Sequence, residues 1–222
     1  MIYAGFYESG EDIPVNYGEV ARYSGAKGID GDLAALIGSC VRETQALNAV
    51  KFSTCYAITP CAVNADIADF TAFKVKSKDL AKNLRGAGRA LIFACTVGIG
   101  IDRLIKKYAD TSPSRSLIFH ALGAERVESF IGKFLCDFKA ENRVSLTPRF
   151  SSGYGDLALE TQRDIFRLLQ PEKRLGLTLN GSLLMSPSKS VTAIAGILCG
   201  NAYGETENGC SACGKTDCEF CK

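Results

Sequence analysis

The segment Arg149-Phe150-Ser151-Ser152-Gly153-Tyr154-Gly155-Asp156 concentrates more ligand-binding chemistry than any other in the chain. An arginine precedes a turn that carries two glycines, with a tyrosine between them. Glycine lets backbone amides come close to a small molecule, where they can pair with an adenine or a carboxylate. A guanidinium can grip a carboxylate through two parallel hydrogen bonds. The same pattern is compatible with an ordinary glycine turn.

Cys210, Cys213, Cys218 and Cys221 form a second cluster, C-x2-C-x4-C-x2-C, after the polar stretch 201–209. Two close pairs of thiolates suit a tetrahedral zinc or an iron–sulfur cluster. The middle spacer is shorter than in common zinc ribbons, so spacing leaves the metal open. Two disulfides are the other outcome, and a reducing compartment disfavours them. Cys40, Cys95, Cys136 and Cys199 sit inside apolar segments and read as small core hydrophobes. The single histidine, His120, rules out histidine-rich zinc sites, and any Ser/His/Asp or Cys/His pair would have to use it. It lies in a helical pattern between Phe119 and Ala121 and reads as a helix residue. Gly86-Ala87-Gly88 and Gly98-Ile99-Gly100 lack the full dinucleotide fingerprint. Both read as tight turns, although the second could offer helix amides to an anion.

These residues need elements to position them. Residues 16–23 form a short helix that Gly25 can end. From Gly31, Leu33, Leu36, Ile37, Cys40, Val41 and Leu47 recur at helical spacing. Residues 51–58 alternate as a half-buried strand stopped by Pro60, and further β-like segments lie within 66–73. Ser77 reads as the N-cap of a helix over 78–85. A buried strand over 89–97 leads into a helix over 101–108. Ser112-Pro113, a capping hydroxyl before a proline, starts the longest helix, which runs to about Ala140. A strand over 143–150, the loop 151–156 and a helix over 157–169 broken by Pro171 come next. The last β segments are 175–179 and 191–198. The order of elements predicts an α+β fold: one domain over 1–200, with a long mixed or antiparallel sheet and packed helices, and a short Cys-rich tail over 201–222.

Composition narrows the function. Of 222 residues, 46% are apolar and 23% charged, enough to bury a sizeable core. A formal net charge of +2, with both signs interspersed, gives no basic stripe for nucleic acid. No apolar run reaches the ~20 residues that span a bilayer. Nor does the acidic N-terminus have the layout of a signal peptide. The expectation is a cytoplasmic protein with no nucleic-acid or membrane partner.

Several of these segments, in the same order, resemble the activation domain of cobalamin-dependent methionine synthase, including its stand-alone members. The Arg149-x-x-x-Gly153-Tyr154 loop is similar to that family's ligand loop. Also similar are Ala94-Cys95-Thr96-Val97-Gly98-Ile99-Gly100-Ile101-Asp102-Arg103 and the helix block Leu122-Gly123-Ala124-Glu125-Arg126-Val127-Glu128. Leu183-Leu184-Met185-Ser186-Pro187-Ser188-Lys189-Ser190-Val191 resembles its turn into a late strand, and Val20-Ala21-Arg22-Tyr23-Ser24-Gly25 its N-terminal helix. The resemblance spans about residues 15–200. Two departures stand out. Asn180-Gly181-Ser182 lacks the family's glutamate, and no tyrosine pair follows 191–198.

The resemblance implies S-adenosylmethionine as ligand, with Arg149, Ser151, Tyr154 and Glu128 at the binding positions, Ser151 through its main chain. Glu128 also reads as a plain solvated helix residue. It implies an accessory subunit, not a self-sufficient enzyme, that supports reductive methylation of cobalamin on a partner methionine synthase chain or another corrinoid protein. An electron donor such as a flavodoxin would serve the reaction. Two other readings remain: a redox protein working through the tail cluster, and a structural partner of a corrinoid protein that binds no ligand.

Overall fold

The computed structural model describes residues 3–8 and 13–198. Cys199, Cys210, Cys213, Cys218 and Cys221 lie outside the described residues, so the tail cluster does too. Strand β1 (Tyr3–Glu8) precedes helices α1 (Tyr17–Tyr23) and α2 (Gly31–Ala46). Asn16 and Asp30 cap the two helices by accepting the Glu19 and Leu33 N–H groups. Strand β2 (Ser53–Pro60) leads into a small sheet of β3 (Ala62–Asn64), β4 (Ile67–Asp69) and β5 (Lys74–Lys76). Helix α3 (Lys78–Asn83) starts at Ser77, whose hydroxyl accepts the Leu80 N–H at 3.0 Å. Then come β6 (Arg89–Thr96), α4 (Gly100–Tyr108) and α5 (Pro113–Asn142). The last elements are β7 (Ser145–Leu146), α6 (Thr161–Leu169), α7 (Pro171–Leu175), β8 (Thr178–Leu179), β9 (Met185–Ser186) and β10 (Ser190–Leu198).

The main sheet has the order β1-β2-β6-β10-β7, and every pair in it is antiparallel. β6 is central and covered on both faces, which is why it reads as an unbroken apolar run. Leu91, Phe93 and Cys95 face a core built with α5, whereas Ala90, Ile92 and Ala94 face α3, α6 and the small sheet. The C-terminal half of α5 lies over the sheet. There the Phe134 ring meets Tyr56, Phe93 and Phe138 at centroid distances of 5.6, 5.5 and 6.1 Å. The N-terminal half of α5 packs Ile118, Phe119 and Leu122 against α1, α2 and α4. Dispersion and burial in these two cores hold α5 as the spine of the domain.

Several local expectations shift. The strand expected over 143–150 shrinks to β7, and only Phe150 rejoins β10, by exchanging both backbone bonds with Ile194. Between them Thr147 N–H donates to Gly196 O, and the Thr147 hydroxyl accepts the Gly196 N–H at 2.8 Å, taking the place of a backbone carbonyl. Pro148 has no N–H to offer the ladder. From Thr147 to Phe150 is three residue steps, against two from Gly196 to Ile194, so the segment carries a β-bulge. Pro60 closes β2 as its last residue, paired with Arg89. Pro171 starts α7 instead of ending the helical region, because Gln170 turns through φ +49° and proline suits a first helical turn. That leaves β8 as the only part of 175–179 in a strand. Ser112 precedes α5 without making a side-chain cap bond. Cys136 is exposed: two residues beyond the buried Phe134, it falls on the outer face of α5. Cys40 and Cys95 are buried, as expected.

Candidate functional site

β7 pairs only with Ile197 and Leu198, and among the described residues no strand lies beside Ser190–Thr192 on that edge. A cleft of about 450 Å³ occupies this gap. α5 supplies Glu128 on one side, α6 supplies Gln162 on the other, and the 149–154 segment crosses the opening. Glu128, Arg149, Ser151 and Tyr154 all line this one cavity, together with Met185 and Val191 as apolar wall. The bulge explains how Arg149 gets there. Without the extra residue Arg149 would sit opposite Ile194 on the core face; with it, Phe150 takes that core position and Arg149 reaches across to α5.

The glycine loop is built tightly. Gly153 and Gly155 have φ of +88° and +54°, which glycine adopts without steric cost. A Cβ on Gly155 would also fall 2.4 Å from Asp79 Oδ2. Gly153 N–H donates to Leu157 O at 2.9 Å, Leu157 N–H to Tyr154 O at 3.0 Å, and the Leu157 side chain is plugged into the core beside Ile165 and Phe166. That closed turn explains why α6 begins at Thr161 and not near Leu157. Asp156 clamps the far end to α3 by accepting from the Ser77 hydroxyl, from Lys78 N–H at 2.7 Å and from Asp79 N–H at 3.2 Å. Tyr154 is left 69% exposed at the rim.

Arg149 donates to Glu128 across the opening, and the two side chains are 34% and 36% exposed. Three and two residues before Glu128 in α5, Glu125 and Arg126 form a buried pair with an architectural role. Arg126 donates to the carbonyls of Ile13 and Pro14, while Glu125 accepts from Asn16 N–H and the Ser129 hydroxyl, tying the incoming chain to α5. Glu128, one turn further on, is the residue of that block that faces the cleft.

Among the lining residues that sequence reasoning did not name, two carry buried polar atoms without a partner. Ser152 and Gln162 are 6% and 7% exposed, and Ser152 Oγ and Gln162 Oε1 have no hydrogen-bond partner. Ser152 lies within the quoted loop. Gln162 carries a readable signal: it shares the i, i+3, i+4, i+7 stripe of α6 with Ile165, Phe166 and Leu169, a polar residue on an apolar face. Asn180 Oδ1 accepts the Ser182 and Leu184 N–H groups at 2.9 Å each and so shapes the β8–β9 turn. His120 faces Lys189 Nζ at 2.9 Å; burial, then the neighbouring ammonium, hold its pKa below the usual 6.5. A separate recess lies at Gly98-Ile99-Gly100, where Gly98 turns with φ +80° and Gly100 packs against the Ala49 backbone.

No family model and no curated protein sequence matches the chain. Among solved structures, the crystal structure of the MetH reactivation domain bound to AdoHcy superposes with a TM-score of 0.63. The match covers 91% of this chain and 80% of that one, at 14% identity. The chain has the fold of the MetH reactivation domain. The expected α+β class with an antiparallel sheet and packed helices is met in this way, over the same elements that carry the cleft. No helix among the described residues is long and apolar enough to cross a membrane.

The Asp156 clamp makes a pH prediction. The Ser77 hydroxyl first, then the Lys78 N–H, hold this carboxyl below its ordinary 3.8. A carboxyl depressed on folding stabilises the folded state above its unfolded pKa, and that contribution is lost as pH falls through the lowered value. Asp156→Asn should therefore unfold at a lower temperature than the parent at about pH 7, and the gap should close in acid, as pH falls below the ordinary 3.8 and through the depressed value. Thermal melts across that range check it, and a gap that stays constant would refute the clamp.

Proposed function

We propose that the chain binds S-adenosylmethionine in this cleft and presents its methyl group to cobalamin held by a methionine synthase chain or another corrinoid protein. The observation that carries the reading is the convergence of Glu128, from α5, with Arg149, Ser151 and Tyr154, from the glycine loop, on one cavity. The ligand is a sulfonium whose amino-acid end carries an ammonium and a carboxylate. The Arg149–Glu128 pair has the matching charges: carboxylate on guanidinium and ammonium on carboxylate replace one opposite-charge contact by two. A pair this exposed is worth only about 0–1 kcal/mol, so exchanging it for ligand contacts costs little. The AdoHcy in the MetH reactivation domain is the same molecule without its methyl group, which supports the choice of ligand.

The chemistry needs little from the protein beyond placement. With one electron from an external donor such as a flavodoxin, the partner's cobalamin would accept the methyl from sulfur and leave S-adenosylhomocysteine in the cleft. The work of the chain is to hold the sulfonium in the cleft and direct its methyl toward the cleft's mouth. Titration calorimetry of the full chain with S-adenosylmethionine should show saturable binding, weakened about tenfold or more by Arg149→Ala. A parent protein that gives no binding, or an Arg149→Ala variant that binds equally well, contradicts the reading.

The spacing of Cys210, Cys213, Cys218 and Cys221 supports a metal role for the tail, as zinc or as an iron–sulfur cluster, of which only the cluster can carry an electron. Metal analysis and visible spectra of anaerobically purified chain should find stoichiometric zinc or iron, lost when all four are changed to serine. A metal-free protein with those thiols paired as disulfides would overturn this part.

A further inference from the structure

The cleft is graded in polarity, and the grading assigns an orientation to its ligand. At the half-exposed end stand the two charged side chains, Arg149 and Glu128. Of the cleft's buried neutral side chains, two, Ser152 and Gln162, are each more than nine-tenths buried and carry an oxygen without a partner. A buried polar atom without a partner opposes folding, and native proteins keep few of them. Two in one cavity, on separate elements, point to a ligand that supplies the missing hydrogen bonds. Neither residue brings a counter-charge, so an ammonium or carboxylate placed there would lose its hydration without compensation. A neutral edge that both donates and accepts fits instead. The carboxamide of glutamine matches the adenine edge, whose amino group donates beside a ring nitrogen that accepts.

Building on the ligand class given above, we infer that Gln162 and Ser152 are specificity residues that hold the adenosine end of the ligand at the buried end of the cleft, leaving the amino-acid end to Arg149 and Glu128. The methyl-bearing sulfur then lies between the two ends, level with the apolar wall of Met185 and Val191. The two residues come from independent elements: Ser152 from the glycine loop and Gln162 from the buried stripe of α6.

Binding of S-adenosylhomocysteine and of adenosine alone to the full chain separates this from its alternatives, using Gln162→Met, Ser152→Ala and Arg149→Ala. Gln162→Met removes the carboxamide at nearly constant shape, and because its buried oxygen has no protein partner the variant should melt at or above the parent temperature. The inference expects adenosine to bind the parent, to bind about tenfold more weakly to Gln162→Met and several-fold more weakly to Ser152→Ala, and to be indifferent to Arg149→Ala. S-adenosylhomocysteine should be weakened by all three. If the parent binds S-adenosylhomocysteine but adenosine does not bind, ignores Gln162→Met and Ser152→Ala, or falls with Arg149→Ala, the orientation is wrong while the ligand class stands. If the parent binds neither molecule, the ligand class itself fails and this assignment with it.

Discussion

An antiparallel sheet must do something with the backbone edge it leaves open, and here that edge organises the candidate site. β10 is paired with β6 along nearly its whole length, but on its other side, among the described residues, only its C-terminal half is covered, by two residues of β7 and the Phe150 bridge. The bulge between those contacts, set by Pro148 and the Thr147 hydroxyl, lifts the chain away from Ser190–Thr192 and carries it over the opening as the glycine loop. Everything else in the cleft is a consequence of that departure. Restoring a regular strand over 147–152 would close the cavity and turn Arg149 into the core.

The cleft draws on both faces of the sheet because it lies at the sheet's edge. α5 approaches from one face with Glu128, and α6 from the other with Gln162. The two helices are rigid for different reasons. α5 is locked by aromatic packing and by the buried Glu125–Arg126 pair that fastens the incoming chain to it. α6 is locked by Ile165, Phe166 and Leu169 against the opposite core. The loop between them is held at one end by the Phe150 bridge and at the other by the Asp156 clamp on α3. The side chains of the cleft are therefore held from fixed supports, which is what the proposed positioning role needs.

Much of this was legible in local pattern. The apolar run of β6, the Ser77 cap and the proline opening of α5 report elements directly, since each depends on near neighbours. Arg149, Ser151, Tyr154 and Glu128 were named from residue type and resemblance, and the fold gathers them. The bulge was not legible, because a one-residue offset is defined by the partner strand and leaves no periodic trace in its own sequence. Pro171 misled for a related reason: proline ends one helix and starts another with equal ease, and the left-handed Gln170 decides which. Gln162 was within reach, as a polar residue on an apolar stripe, but its importance emerges only once the opposite wall is known. Glycines 153 and 155, read as ligand contacts, are first required by the turn itself.

The account stands on ligand contact at this edge of the sheet and not elsewhere. Hydrogen exchange followed by mass spectrometry, with and without saturating S-adenosylmethionine, addresses that directly. The account predicts slower exchange of amides in 151–157 and 190–192, with little change at 98–104. Unchanged exchange in the glycine loop, or protection concentrated at the Gly98–Gly100 recess, would contradict it.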